Sequence, residues 1–275
     1  KDFVSNAFTS FKDFLEEGSL IKFKGEEDGY SIVQVPEAEA AFVAMNAQTG
    51  EVEAYIGGFD FKRSKFDRAK KSKLMVGYNR RCAPHIIKIK ELIEKKEIPK
   101  TFIMTMNAGY IPSNHWVHDE KIGGGRVIGE ACHYIDLMRF LAGSKIKSFS
   151  ANKIGKNISG VITEDTCSIS LSFEDGSMGT IHYFANGGNS FPKERIEVFC
   201  DGGILQLNNF RVLNGFNWDG FSKMRLFSQD KGQKNCINSF IRSINDGEES
   251  PIPMDEIFEV ARVSVDIAEI LRNNN

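Results

Sequence analysis

The sequence lacks most of the features that would assign it quickly to a common class. Lysine plus arginine (35) falls just short of aspartate plus glutamate (37), for a formal net charge of −2. It therefore has no basic excess of the kind a nucleic-acid-binding face needs. No apolar run approaches the roughly 20 residues that a membrane helix requires. The five cysteines (Cys82, Cys132, Cys167, Cys200, Cys236) form no Cys-x-x-Cys pair. An odd, scattered set argues against a disulfide framework and fits free thiols in a reducing compartment, the cytoplasm. The chain opens Lys1-Asp2-Phe3, without methionine or an apolar signal core, so a processed chain or a fragment is expected. There is no internal repeat and no low-complexity tract. What remains is an ordinary globular composition, 41% hydrophobic and 26% charged over 275 residues. That is enough for one large domain or two modest ones.

The character of the chain changes near Lys70. Before it, Ser31–Pro36 reads as a short strand, and Ala41–Met45 and Glu51–Gly57 flank Gln48-Thr49-Gly50 as a hairpin. Lys62–Lys73 is a polar, basic stretch without apolar period, the pattern of a loop or linker or of a helical turn. Beyond it, Leu74–Tyr78 reads as a buried strand, His85–Lys96 as a helix, Thr101–Met106 as a strand and Arg126–Leu141 as a helix. On the last of these, steps of about 100° put Val127, Ala131, Ile135 and Met138 on one arc and Arg126, Glu130 and His133 on the other. From 148 to 213 the period becomes two: Cys167, Ile169, Leu171 and Phe173 alternate with serines. Asp175-Gly176 and Asp201-Gly202 mark hairpin turns. Helices over Gln233–Asn245 and Met254–Leu271 close the chain. This order predicts an α+β fold: a large open antiparallel sheet with helices on one face, preceded by a small, mostly β N-terminal segment. The expected division is 1–72 and 73–275.

Several runs in the second part resemble the glucose–fructose oxidoreductase/inositol dehydrogenase family. They are Val76–Arg81, Asn107–Pro112, His115–Asp119, Phe191–Phe199 and, most closely, Gly123-Gly124-Gly125-Arg126-Val127-Ile128-Gly129-Glu130-Ala131-Cys132-His133-Tyr134-Ile135-Asp136. The resemblance covers about three quarters of the chain in family order. It implies a substrate-binding and oligomerisation domain of an enzyme that uses NAD or NADP on a sugar or cyclitol hydroxyl. It also implies a homo-oligomer joined through the outer face of the sheet. Val35–Met45, Thr49–Val52 and Gly57–Ala69 instead resemble class A penicillin-binding proteins, just before the transpeptidase serine motif. That family would be periplasmic. The join falls before one family's nucleophile and inside the other's last cofactor-domain strand, whereas natural fusions meet at domain boundaries. The chain thus reads as a chimera, whether a rearranged gene, an assembly artefact or an engineered fusion.

The resemblance makes His133 the proton-transfer or substrate-hydroxyl contact, a role that suits an imidazole titrating near neutrality. The competing reading is a helix histidine bonded within the packed domain. Glu130, at i,i+3, is placed to orient it; many members of the resembling family carry aspartate where Gly129 stands, so Glu130 reads either as its substitute or as a plain surface charge. Arg80, Asn107, His115, Asp119 and Lys193 occupy positions where the resemblance implies substrate or cofactor contacts. With no Cys-x-x-Cys and no paired helix histidines, a metal site is not expected. No Gly-x-Gly-x-x-Gly turn occurs, and Glu94-Lys95-Lys96 is a helix-surface charge run rather than the family's Glu-Lys-Pro. The chain alone is therefore expected to bind neither NAD nor NADP and to be inactive. The alternatives are a fragment of a peptidoglycan transpeptidase and a non-catalytic assembly module.

Ser-x-x-Lys occurs at Ser19–Lys22, Ser144–Lys147, Ser150–Lys153 and Ser190–Lys193, never after Pro-Gly, and Lys-Thr-Gly is absent. Acylation requires a serine activated by a neighbouring base. Mass spectrometry after incubation with a fluorescent penicillin should therefore show no mass gain. A stoichiometric serine adduct would overturn the expectation.

Overall fold

The computed structural model describes residues 22–26, 29–33, 42–45, 52–56, 74–155 and 162–273. The chain divides into two compact units, Lys1–Ser72 and Lys73–Asn275.

In the first unit β1 (Lys22–Glu26) pairs antiparallel with β2 (Gly29–Val33), and β3 (Phe42–Met45) pairs antiparallel with β4 (Val52–Ile56). The β3–β4 pair matches the expected hairpin strands, while its Gln48–Gly50 turn and the Lys62–Lys73 stretch lie outside the described residues. β1 was not anticipated, and β2 starts two residues before the expected Ser31.

The second unit is an eight-stranded sheet in the order β12-β11-β10-β9-β5-β8-β7-β6. Its strands are β5 (Thr101–Asn107), β6 (Ile146–Lys153), β7 (Thr166–Phe173), β8 (Met178–Phe184), β9 (Glu194–Cys200), β10 (Gly203–Asn208), β11 (Val212–Phe216) and β12 (Lys223–Arg225). Every neighbour pair is antiparallel except β5 with β8, which are parallel. The exception arises because β5 is inserted from the helical layer between β9 and β8, rather than joined to either by a hairpin. The local turns follow the sequence: Asp201 and Gly202 both have positive φ (52° and 73°), which matches the twist of a tight hairpin between β9 and β10.

The helices are α1 (Pro84–Glu94), α2 (Cys132–Ala142), α3 (Gln233–Asn245) and α4 (Met254–Asn273). A π turn, Val127–Ala131, runs into α2. Ile86, Ile89 and Ile93 of α1, Ile135, Leu137 and Met138 of α2, and Val260, Ile267 and Leu271 of α4 pack on one core with Phe102, Met104, Ile169, Leu171, Ile181, Ile196 and Val198 of the sheet. Burying such a side chain contributes about 1.5–3 kcal/mol. The period-two reading of β7 holds, with Cys167, Ile169, Leu171 and Phe173 all buried. Gly179 marks where α2 presses on the sheet: a Cβ there would lie 2.7 Å from Met138 Sδ and from Phe102 Cβ.

Leu74–Tyr78 is not a strand. No neighbouring strand meets it among the described residues, so its amides close on themselves: Tyr78 N donates to Val76 O (2.7 Å) and Asn79 N to Gly77 O (2.7 Å). Leu74 is 41% exposed rather than buried.

The 3-10 turn Asn79–Cys82 carries the main polar tie of the helical layer. Arg81 forks onto Asp136 of α2 through Nε (3.0 Å) and Nη2, and its Nη1 reaches Glu256 of α4 at 2.9 Å. Arg139 continues the network to Glu259 at 2.9 Å, whose other oxygen accepts the Ile146 amide at the start of β6. Removing one partner from a buried ion pair strands the other charge, at a cost of about 3–5 kcal/mol. Urea unfolding of Arg81→Ala should show a loss of that order. The paired replacement Arg81→Met/Asp136→Leu should recover most of it, and a loss under about 1 kcal/mol for Arg81→Ala would contradict the assignment.

Candidate active site

His133 lies in the first turn of α2, directly after the π turn. Single π turns introduce an extra residue and recur at functional sites. Val127, Ala131, Ile135 and Met138 are buried, as their shared arc predicted. The opposite arc is enclosed as well: Arg126 is buried and Glu130 and His133 partly so.

Two ion clusters flank His133. In the first, three donors converge on one oxygen. Glu194 Oε1 accepts from Tyr134 OH (2.7 Å), Arg80 Nη2 (2.9 Å) and Lys231 Nζ (3.1 Å), while Arg80 Nη2 also donates to Tyr134 OH (3.1 Å). Glu194 is buried as the first residue of β9, and the Arg80 guanidinium lies 4.6 Å over the Tyr134 ring. Asn79 Nδ2 binds Lys231 O at 2.7 Å and so holds the lysine's loop. In the second cluster Glu130 accepts from Tyr183 OH (2.5 Å), Lys193 Nζ (2.6 Å) and Arg126 Nη2 (3.2 Å). Arg126 also donates to Gly109 O (2.6 Å) and Ala108 O (3.0 Å), which fixes the loop after β5.

These clusters set the charge states. Burial raises the Glu130 carboxyl, but the hydrogen bonds from Lys193 and Tyr183 outweigh it and hold it down at about 2. Burial likewise opposes ionisation of Glu194, and the Arg80 charge with the Tyr134 hydrogen bond brings it below its ordinary range. For His133 burial and then the Arg80 charge act together, against Glu130 and Glu194, and lower the imidazole to about 4. At neutral pH it is uncharged. Its Nδ1 is buried without a hydrogen-bond partner, and Tyr78 meets the ring edge-on at 5.9 Å.

The structure therefore brings together Arg80, Glu130, His133 and Lys193, but not in the way expected for Glu130. That carboxylate makes no hydrogen bond to His133; its oxygens are taken by Lys193, Tyr183 and Arg126. Asn107 closes β5, where Nδ2 donates to Gly188 O (2.7 Å) and Phe191 O (3.2 Å) while Oδ1 is buried and unpartnered. His115 and Asp119 cap the loop after β5. His115 Nδ1 accepts the Val117 amide (3.3 Å), and Asp119 Oδ1 accepts those of Lys121 (2.8 Å) and Ile122 (3.0 Å). Glu194, Tyr134, Lys231 and Tyr183 were not singled out from the sequence. One signal was available for Glu194: it has the same parity as Ile196 and Val198 on β9, which marks an acid on a buried face.

Four buried polar atoms in this region have no partner: Arg80 Nε, Glu194 Oε2, His133 Nδ1 and Asn107 Oδ1. Buried orphans cost about 1–3 kcal/mol each unless solvated or bound. Among the described residues no group of three or more His, Cys, Asp or Glu could hold a metal ion. The Gly123-Gly124-Gly125 turn does not fit a dinucleotide pyrophosphate, because its amides already donate to Asp119 O (2.8 and 2.9 Å) and Val117 O (2.9 Å).

Residues 86–206 match the GFO/IDH/MocA C-terminal domain family. The uncharacterized oxidoreductase YrbE of Bacillus subtilis is 29% identical over 143 residues, which cover 50% of this chain and 41% of YrbE. Penicillin-binding protein 1A of Rickettsia conorii is 44% identical over 61 residues, 22% of this chain and 8% of that protein. Both resemblances read in the sequence are thus found, and the chain spans less than half the length of either curated relative. Among solved structures, an NAD binding oxidoreductase from Klebsiella pneumoniae superposes with a TM-score of 0.61 at 17% identity, over 78% of this chain and 68% of that one. The aldose-aldose oxidoreductase of Caulobacter crescentus, complexed with glycerol, gives 0.60 at 18% identity, over 74% and 63%. At these identities the likeness shows the fold.

The lowered imidazole has a consequence for stability. An unfolded histidine titrates near 6.5, whereas His133 titrates at about 4. Between those values only the unfolded chain takes the proton, so the contribution is complete above about 6.5 and is lost as pH falls toward about 4. Urea unfolding of His133→Gln should show a shallower fall in stability between neutral pH and about pH 5, by on the order of 1–2 kcal/mol after discounting for screening. Parallel profiles for the two proteins would show that His133 is not held neutral.

Proposed function

We propose that residues 73–275 form the substrate-side domain of an NAD(P)-dependent oxidoreductase acting on a sugar or cyclitol hydroxyl, with His133 receiving the hydroxyl proton. The observation that carries this reading is the uncharged, partly buried imidazole with an unpartnered Nδ1 between two locked ion clusters. A neutral imidazole can accept a proton directly. As it becomes charged, Glu130 and Glu194, both kept ionised, favour the imidazolium, while Arg80 and Lys231 limit how long it persists. Arg80 Nε offers a donor, and Glu194 Oε2 and Asn107 Oδ1 offer acceptors, to neighbouring ring hydroxyls. Glu130 acts in this reading by holding Lys193 and Tyr183 in place, not by touching the histidine.

The hydride acceptor, NAD or NADP, supplies the redox chemistry in this family. The Gly123–Gly125 amides are already engaged and do not fit its pyrophosphate, so in this reading residues 73–275 act only together with a cofactor-binding domain. The compartment proposed is the cytoplasm; no helix among the described residues is long and apolar enough to cross a membrane. Homo-oligomerisation would use the open sheet face, where Ser168, Thr180 and His182 stand partly exposed. The identity with penicillin-binding protein 1A favours a second reading for residues 1–72, a segment from that family without its acylating serine.

The five histidines allow a direct test. Imidazole resonances of the full chain, with that of His133 assigned by its loss in His133→Gln, should respond to myo-inositol or D-glucose at neutral pH. The His133 signal is expected to shift saturably with one of them. An unmoved His133 signal at saturating concentrations of both would sink the proposal.

A further inference from the structure

A cavity of about 340 Å3 opens where the π turn begins, and of the two ion clusters above only Arg126 reaches it. Small-molecule sites occupy about 300–1,000 Å3. Its inner wall is polar and buried. The His118 side chain, in the 3-10 turn Trp116–His118, is 4% exposed, and neither ring nitrogen has a hydrogen-bond partner. Nδ1 stands 3.6 Å from Asp165 Oδ2, outside hydrogen-bond reach, and Arg126 Nη1 is 3.8 Å from the same oxygen. A histidine with both nitrogens buried and idle is destabilising unless something enters the cavity to meet them.

The charge pattern selects the occupant. Glu120, Glu164 and Asp165 bring carboxylates to the lining, while Arg126 and Arg272 bring guanidiniums. An anion would face the acids and a cation the arginines. A hydroxyl group both donates and accepts, so one polyol can serve the Asp165 carboxylate and the imidazole together. Val127 and Leu271 supply apolar surface against which the C–H face of a ring can rest. We infer that this cavity binds a neutral polyhydroxylated ring of sugar or cyclitol size, at a site separate from His133. The inference stands on the cavity alone and not on the role given to His133.

The probe is myo-inositol added to the full chain, with sodium sulfate at matched ionic strength as the anionic comparison. The His118 imidazole resonances should shift saturably with myo-inositol, and should do so equally in His133→Gln. By isothermal titration His118→Ala should weaken binding about tenfold, the loss of one good hydrogen bond, and His118→Gln should restore most of it. The inference fails if His118 resonances do not move with myo-inositol, if sulfate moves them more, or if the response disappears in His133→Gln. The last outcome would assign the polyol to the His133 site and leave that reading intact. Should His118→Ala not fold, the resonance titration of the unaltered chain still decides.

Discussion

Two consecutive arginines, held in a single 3-10 turn, face different requirements, and the second unit depends on both being met. A guanidinium cannot shed its charge, so burying it is tolerable only where carboxylates are arranged around it. Arg81 is satisfied by Asp136 and Glu256, which join α2 to α4. Arg80 is satisfied by Glu194 at the mouth of β9. The short turn thus couples the helical layer to the start of an interior strand of the sheet, and Asn79, one residue earlier, ties in the Lys231 loop as well. The α3 helix packs closely on the same turn: a Cβ on Gly232, just before it, would fall 2.4 Å from Ala83 N.

That coupling explains the electrostatics of the candidate site. His133 is kept neutral chiefly by burial and then by Arg80, a charge the scaffold itself must bury and position. The two acids that oppose the shift are each bound by several donors and so cannot swing over to hydrogen-bond the imidazole. The arrangement leaves an imidazole that is uncharged yet close to two fixed negative groups, which is what the proposed role as a transient proton acceptor requires. Gly129 itself carries no charge to the imidazole. With no acid four residues before the histidine, the nearby negative charge comes from Glu130 and from Glu194 on a distant strand.

The two resemblances weigh unequally on function. The oxidoreductase-like part has a continuous core, an eight-stranded sheet and a cluster of polar atoms awaiting partners. For the penicillin-binding-protein-like part, the described structure amounts to two short antiparallel pairs.

Periodicity determined much of the fold in advance, because the 3.6- and two-residue repeats are local properties. It identified α1, α2, α3 and α4, the buried parity of β7 and the Asp-Gly turns. It misjudged Leu74–Tyr78, because an apolar run becomes a strand only if another strand lies beside it. It missed the parallel β5–β8 pair, because pairing order is a property of the whole sheet. For the site, sequence singled out Arg80, Glu130, His133 and Lys193 but could not say which touched which, and it promoted His115 and Asp119, which cap a loop. Glu194, Tyr134 and Lys231 lie 114, 54 and 151 residues from Arg80 along the chain. What brings them onto one oxygen is the sheet register and the docking of α2 and α3, so the charge state of His133 was decided by tertiary packing alone: desolvation and long-range Coulomb forces act through space and leave no periodic trace in a sequence.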